Sequence, residues 1–177
     1  YKIVEKTAPD GFVLNSEAQI ITFSYKDQET PVIEQTATFE NERQKVEISV
    51  EKQDADTEKA VAGAEFGLYA KNDIEAHGTV IVKAGSLLGK AVSGEDGKAV
   101  FTQNLPFGEY YIKELAAPDG YVSSDEVLEV KAEYQGQDVK VVQLSSVFKN
   151  QPTKVVVSKS DLTTGVELSG ATLTVLD

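Results

Sequence analysis

Apolar and polar residues alternate in short runs through the middle of the chain, with a period of two. This alternation predicts strands at about 45–52, 64–70, 79–83, 98–103, 108–115, 126–132 and 138–149. Turn residues separate the runs: Asp54 to Glu58, Gly94-Glu95-Asp96-Gly97, Pro106-Phe107-Gly108, Pro118-Asp119-Gly120 and Gly136. The stretch 84–90 fits the pattern least and reads as a loop or a short helical turn. Short strands with frequent turns and no long amphipathic helix predict an all-β, antiparallel sandwich.

The chain also repeats itself. YKIVEKTAPDGFV at 1–13 returns as YYIKELAAPDGYV at 110–122, and the same spacing carries Phe39-Glu40-Asn41 onto Phe148-Lys149-Asn150. VEKQDADT at 50–57 returns as VSKSDLTT at 157–164, and AGAEF at 62–66 aligns with SGATL at 169–173. The unit is about 107–109 residues, an ordinary domain size. On that period residues 44–151 form one complete unit, 1–43 the C-terminal part of a preceding unit and 152–177 the N-terminal part of a following one. The joints are short and polar, Asn41-Glu42-Arg43-Gln44 and Asn150-Gln151-Pro152-Thr153, which predicts a semi-rigid string of tandem units. The two partial units would leave sheet edges unpaired, so by themselves they are expected to fray or aggregate unless other chains pair with them.

Three polar residues break the alternation. Val46, Ile48 and Val50 share a face that Lys52 continues; Tyr110 and Ile112 share a face that Glu114 continues; Asn150 stands in phase with Phe148. The partial units repeat the violation, with Lys159 after Val155 and Val157, Glu5 after Tyr1 and Ile3, and Asn41 after Phe39. Burial of a charged lysine or carboxylate costs several kcal/mol unless it is paired, and it favours the neutral forms. A neutral amine is a nucleophile, and a carboxylic acid can polarise an amide carbonyl and move protons. Brought together, Lys52 could attack Cγ of Asn150 with Glu114 as acid and base, releasing ammonia and leaving an isopeptide bond. Two plainer arrangements fit the same pattern: a buried Lys–Glu ion pair with the asparagine capping a strand end, or exposed strand ends that never meet.

Composition narrows the function classes. The 177 residues carry 17 Lys+Arg against 29 Asp+Glu, a formal charge of −12, so neither nucleic acid nor an anionic membrane surface is an expected partner. No apolar run reaches the roughly 18–20 residues that span a bilayer. Cysteine is absent, excluding disulfides and thiolate metal sites, and the one histidine, His77, leaves no multi-histidine metal centre. No cofactor or metal is therefore expected, and hydrolase chemistry is disfavoured. A first residue Tyr1, without methionine anywhere, reads as a piece of a longer protein.

The run GEDGKAVFTQNLPFGEYYIKELAAPDGY at 94–121 resembles the signature of Cna B-type domains, the repeated modules of Gram-positive collagen adhesins and SpaA-like pilins. The lysine strand VEKQDADT (50–57), AGAEFGLY (62–69), YYIKELAAPDGY (110–121) and VFKN (147–150) extend the resemblance over the complete unit. It implies a transthyretin-like, inverse-immunoglobulin β-sandwich and a Lys–Asn isopeptide bond promoted by a buried glutamate. By position, Lys52 would be the nucleophile, Asn150 the acceptor and Glu114 the acid/base, with Glu5, Asn41 and Lys159 as equivalents in the partial units. The bond would be made once per molecule, so the chain would not be an enzyme. LPFGE at 105–109 is not a wall-sorting signal, and no pilin-type lysine motif marks a polymerising shaft subunit.

The expected function is a stalk or spacer module of a Gram-positive cell-surface adhesin or pilin, outside the cell, with neighbouring repeats of its own polypeptide as partners. A host extracellular-matrix protein would be met through the parent protein. The alternative from another class is an adhesin module that itself binds a host protein or glycan, for which an exposed apolar patch would argue. A carbohydrate-binding appendage of a secreted enzyme is disfavoured by the absence of tryptophan. Acidic clusters at Asp54-Ala55-Asp56 and Glu95-Asp96 lack EF-hand spacing, and turn chemistry accounts for both. His77 reads as a solvated loop residue. Tyr110 and Tyr111 point to opposite faces of one strand, one to the core and one to the surface.

Overall fold

A computed structural model describes residues 1–30, 32–76, 78–102 and 104–174, and His77 lies outside them. Eleven strands and no helix are found among the described residues, hence no helix long and apolar enough to cross a membrane. The first two, β1 (Lys2–Ile3) and β2 (Gln19–Ile20), pair only with each other. Residues 45–150 hold β3 (Lys45–Asp54), β4 (Glu65–Ala70), β5 (Ile74–Ala76), β6 (Thr79–Val82), β7 (Leu87–Val92), β8 (Lys98–Phe101), β9 (Gly108–Ala116), β10 (Val127–Ala132) and β11 (Val141–Asn150).

One sheet runs β10-β9-β4-β7, a second β11-β3-β8, and β5-β6 is a small separate hairpin. The inner faces supply one core, built on Val46, Ile48 and Val50 from β3, Phe66 and Leu68 from β4, Tyr110 and Ile112 from β9, and Val142 and Phe148 from β11. Phe66 and Phe148 meet edge to face at 5.2 Å, tying the two sheets together. Tyr110 is the core member of its pair, and burial pushes its phenol up to about 12. Its neighbour Tyr111 lies on the outer face, stacked on Tyr69 at 5.0 Å.

Two expectations are corrected. Residues 84–90 are neither simple loop nor helix: Leu87–Val92 is a strand pairing antiparallel with β4. Its pattern is blurred because β7 lies at a sheet edge, where Leu87 and Val92 remain exposed. The sandwich is also not antiparallel throughout, since β11 runs parallel to β3 over its whole length, with Val141 opposite Lys45 and Asn150 opposite Asp54. A parallel pair needs a long crossover, which the intervening strands provide. Alternation within each strand cannot register this, because facing depends on parity and not on direction.

Outside residues 45–150 there is little ladder among the described residues. Residues 32–41, spaced as β11 is within its unit, and 154–159, spaced as β3 is, carry no strand assignment among the described residues. Each of these strands forms in the complete unit by pairing with the other.

Candidate crosslinking site

β3 buries every second side chain, and the alternation runs unbroken from Val46 through Lys52 to Asp54. The lysine therefore enters the core by strand parity and is completely buried. Its backbone is fixed by two hydrogen bonds: Lys52 N–H donates to Gly97 O at 2.8 Å, and Val61 N–H donates to Lys52 O at 3.0 Å. Gly97 adopts φ +76°, and a Cβ there would stand 2.7 Å from the Lys52 carbonyl oxygen. Only glycine allows this approach.

The amine has few polar neighbours. Nζ donates to the Gln53 carbonyl at 3.2 Å, and no ion pair reaches it among the described residues. The rings of Tyr121 and Phe148 wall it at 5.4 and 6.0 Å. Burial pushes the ammonium below its ordinary pKa, against the opposing pull of the Glu114 and Asp54 carboxylates. The group is thus biased toward the neutral, nucleophilic amine.

Asn150 ends β11 on the buried face, 1% exposed. Its Nδ2 donates to both carboxylate oxygens of Glu114, at 2.9 and 2.7 Å, and to the Val122 carbonyl at 2.8 Å. Glu114 also accepts the Ser124 N–H at 3.1 Å, which fixes the carboxyl group from the loop after β9. Asn150 Oδ1 is buried without a partner, the one such side-chain atom among the described residues. The lysine, glutamate and asparagine thus converge on one end of the core. The exposed-ends arrangement is excluded by the burial of Lys52 and Asn150 and by the contact of half-buried Glu114 with the asparagine, and no Lys52–Glu114 ion pair is formed.

The equivalent residues 109 positions earlier adopt the same contacts. Asn41 Nδ2 donates to Glu5 at 2.6 Å and to the Val13 carbonyl at 3.0 Å, and Asn15 N–H donates to Glu5 at 2.8 Å. Lys159 does not join them; it lies exposed in the irregular segment after Pro152.

Sequence parity missed two partners. Asp54 continues the buried face beyond Lys52, and its Oδ2 accepts the Tyr121 hydroxyl at 3.0 Å. Its Oδ1 accepts the amides of Asp56 at 2.9 Å and Thr57 at 2.7 Å, so the first acidic cluster is a turn cap. The Thr57 amide, with the Tyr121 hydroxyl adding to it, holds Asp54 below the usual carboxylate range. The phase of Asp54 in β3 was the available signal for its burial. Nothing in the sequence pattern points from Asp54 to Tyr121.

A family model described as the SpaA prealbumin-like fold domain matches residues 46–145. Among solved structures, the Bacillus anthracis TIE protein is similar at 27% identity and TM-score 0.57, covering 86% of this chain and 25% of its own. The T6 backbone pilin of serotype M6 Streptococcus pyogenes is similar at 30% identity and TM-score 0.41, over 49% of this chain and 16% of its own. The major pilin SpaD of Corynebacterium diphtheriae is similar at 22% identity and TM-score 0.47, over 68% and 33%. The chain therefore spans a third or less of each of these proteins. No curated protein matches it. With the family model covering more than half of its residues and its fold all-β, the chain belongs to the SpaA prealbumin-like domain family.

Proposed function

We propose that the chain is a stalk module of a Gram-positive cell-surface adhesin or pilin, with residues 44–151 as its complete unit, locked by an isopeptide bond between Lys52 and Asn150. The observation that carries this reading is the pairing of a buried amine free of any ion pair with an asparagine whose amide nitrogen is held by Glu114. The amine of Lys52 adds to Cγ of Asn150. Glu114 takes one proton from the attacking nitrogen and delivers it to Nδ2, with which it already shares hydrogen bonds. The Cγ–Nδ2 bond then breaks and ammonia departs, so one amide replaces another and no oxidant is needed. The carboxyl group lies on the leaving nitrogen and not on the carbonyl oxygen, which supports a role for Glu114 in the departure step.

Such a bond suits a module that is pulled. It would close a loop of about 99 residues and, by analogy with a disulfide, stabilise the unit by about 4–5 kcal/mol. Intact mass spectrometry of the purified chain tests the reading, with Glu114→Ala beside it. Wild type is expected to be lighter than its sequence by one ammonia, and the variant to match its sequence. A wild-type mass equal to that of the sequence would reduce the three residues to a buried polar cluster and favour the ligand-binding alternative.

A further inference from the structure

We propose that Tyr121 is a positioning residue for Lys52: its hydroxyl holds the Asp54 carboxylate, keeping the lysine amine from being captured by the acid two residues along its own strand. The inference rests on the crosslinking reading for its purpose but not for its test.

The two side chains share the buried face of β3, at positions 52 and 54, and Asp54 is the one carboxylate that this strand places on that face beside Lys52. The charged groups acting on the amine are Glu114 from β9 and Asp54 from β3; Asn150 of β11 and the two rings are neutral. Glu114 is engaged by Asn150 and Ser124. Asp54 Oδ1 is engaged by two turn amides, which leaves Oδ2 as the oxygen open to a cation. Tyr121 occupies Oδ2 with its hydroxyl and places its ring 5.4 Å from Nζ. One side chain thus holds the competing acid and walls the amine.

The turn does not need this tyrosine. Asp161, the counterpart of Asp54, caps the same turn through the amides of Thr163 at 2.8 Å and Thr164 at 2.7 Å. At the position corresponding to Tyr121 in the first segment the residue is Phe12, so the ring fits that place without its hydroxyl. The hydroxyl contact is accordingly separable from the local fold, and removing it should alter electrostatics and not architecture.

The test uses the full chain with Asn150→Ala, which keeps Lys52 unreacted, and follows the Lys52 Nζ and Cε resonances against pH. Adding Tyr121→Phe is expected to raise the lysine midpoint by about half a unit or more. In an Asp54→Asn background, where no acid remains to be held, Tyr121→Phe is expected to leave the midpoint unchanged. An unchanged or lowered midpoint in the first comparison, or an equal rise in both, overturns the inference. If Asn150→Ala does not fold, Glu114→Gln serves as the unreacted background. Time-resolved intact mass during cell-free synthesis at neutral pH then reads the consequence: Tyr121→Phe should crosslink about three- to tenfold more slowly, and the delay should vanish with Asp54→Asn. A wild type that never loses ammonia would sink the crosslinking function, while the lysine titration would still decide the role of Tyr121.

Discussion

Lys52 and Asn150 stand two register positions apart on neighbouring parallel strands, with Phe148 directly opposite the lysine and Asp54 directly opposite the asparagine. Both side chains are buried on the core face of the strand pair. Diagonal neighbours on one face of paired strands are within reach of long side chains. The site is therefore made by strand register, with Glu114 contributed from the facing sheet.

Removing the acceptor exposes what the lysine costs. In Asn150→Ala, Lys52 remains buried, and burial sets its folded pKa below 10.5. Between that depressed value and 10.5 the unfolded chain holds a proton that the folded chain lacks, so stability rises with pH in this window. The slope is at most about 1.4 kcal/mol per pH unit. Below the window the full penalty applies. Lys52→Met lacks both the crosslink and the titrating amine. Urea unfolding from pH 7 to 11 should show Asn150→Ala gaining stability relative to Lys52→Met. Parallel curves would mean that the lysine is not desolvated.

The glycine behind the lysine gives a second prediction. A Cβ at Gly97 would meet the Lys52 carbonyl oxygen at 2.7 Å and Ala60 Cβ at 3.0 Å, at φ +76°. Gly120 has a similar φ of +82° with nothing within 4 Å. Both alanine variants bear the backbone strain of about 1–2 kcal/mol, and only Gly97→Ala must also displace β3. In an Asn150→Ala background, Gly97→Ala should unfold at lower urea than Gly120→Ala. Equal midpoints would show that β3 yields at no cost.

Much of this site was legible in sequence because strand parity is a strong local constraint. Val46, Ile48 and Val50 fix the inward phase, and one step of two places Lys52 inside. The same counting placed Glu114 and Asn150. Parity says nothing about strand direction, so the parallel pairing of β3 with β11 had to come from the fold. It also fails at edges such as β7, where one residue in two need not be buried. The Tyr121–Asp54 contact joins a loop to a strand end 67 residues away, and no periodicity encodes such a pair.

Two glutamines tie the chain before β3 to the loop before β11. Gln44, 1% exposed, donates through Nε2 to the carbonyls of Gly136 at 3.0 Å and Val139 at 2.5 Å, and its Oε1 accepts Gln135 N–H at 3.2 Å. Gln137 reaches the other way, its Oε1 accepting Ala8 N–H at 3.0 Å and its backbone oxygen accepting Leu14 N–H at 2.9 Å. Loop 135–139 therefore clamps the linker and the preceding segment together. Gln44→Ala removes three part-buried hydrogen bonds and should cost about 1–3 kcal/mol. Gln137→Ala should leave the unit's own stability unchanged while speeding hydrogen exchange at the Ala8 amide. Unprotected exchange at Ala8 in the wild type would rule out the clamp.

Tension gives the last prediction. Because β3 and β11 are parallel, pulling on the two ends of the unit enters at Lys45 and leaves at Asn150, shearing the ladder between them lengthwise. With Lys52 bonded to Asn150, the covalent path runs through residues 45–52 and the isopeptide, and residues 53–149 carry no load. A single-molecule stretch of the wild type should then show no release of this unit before the tether itself fails. Glu114→Ala, unbonded, should rupture in one step and release residues 45–150, about 106 residues of chain, roughly 350 Å when extended. The shear geometry keeps even that rupture force high, since all ladder hydrogen bonds share the strain. A wild-type release step of the same length would show that no bond shields the sandwich.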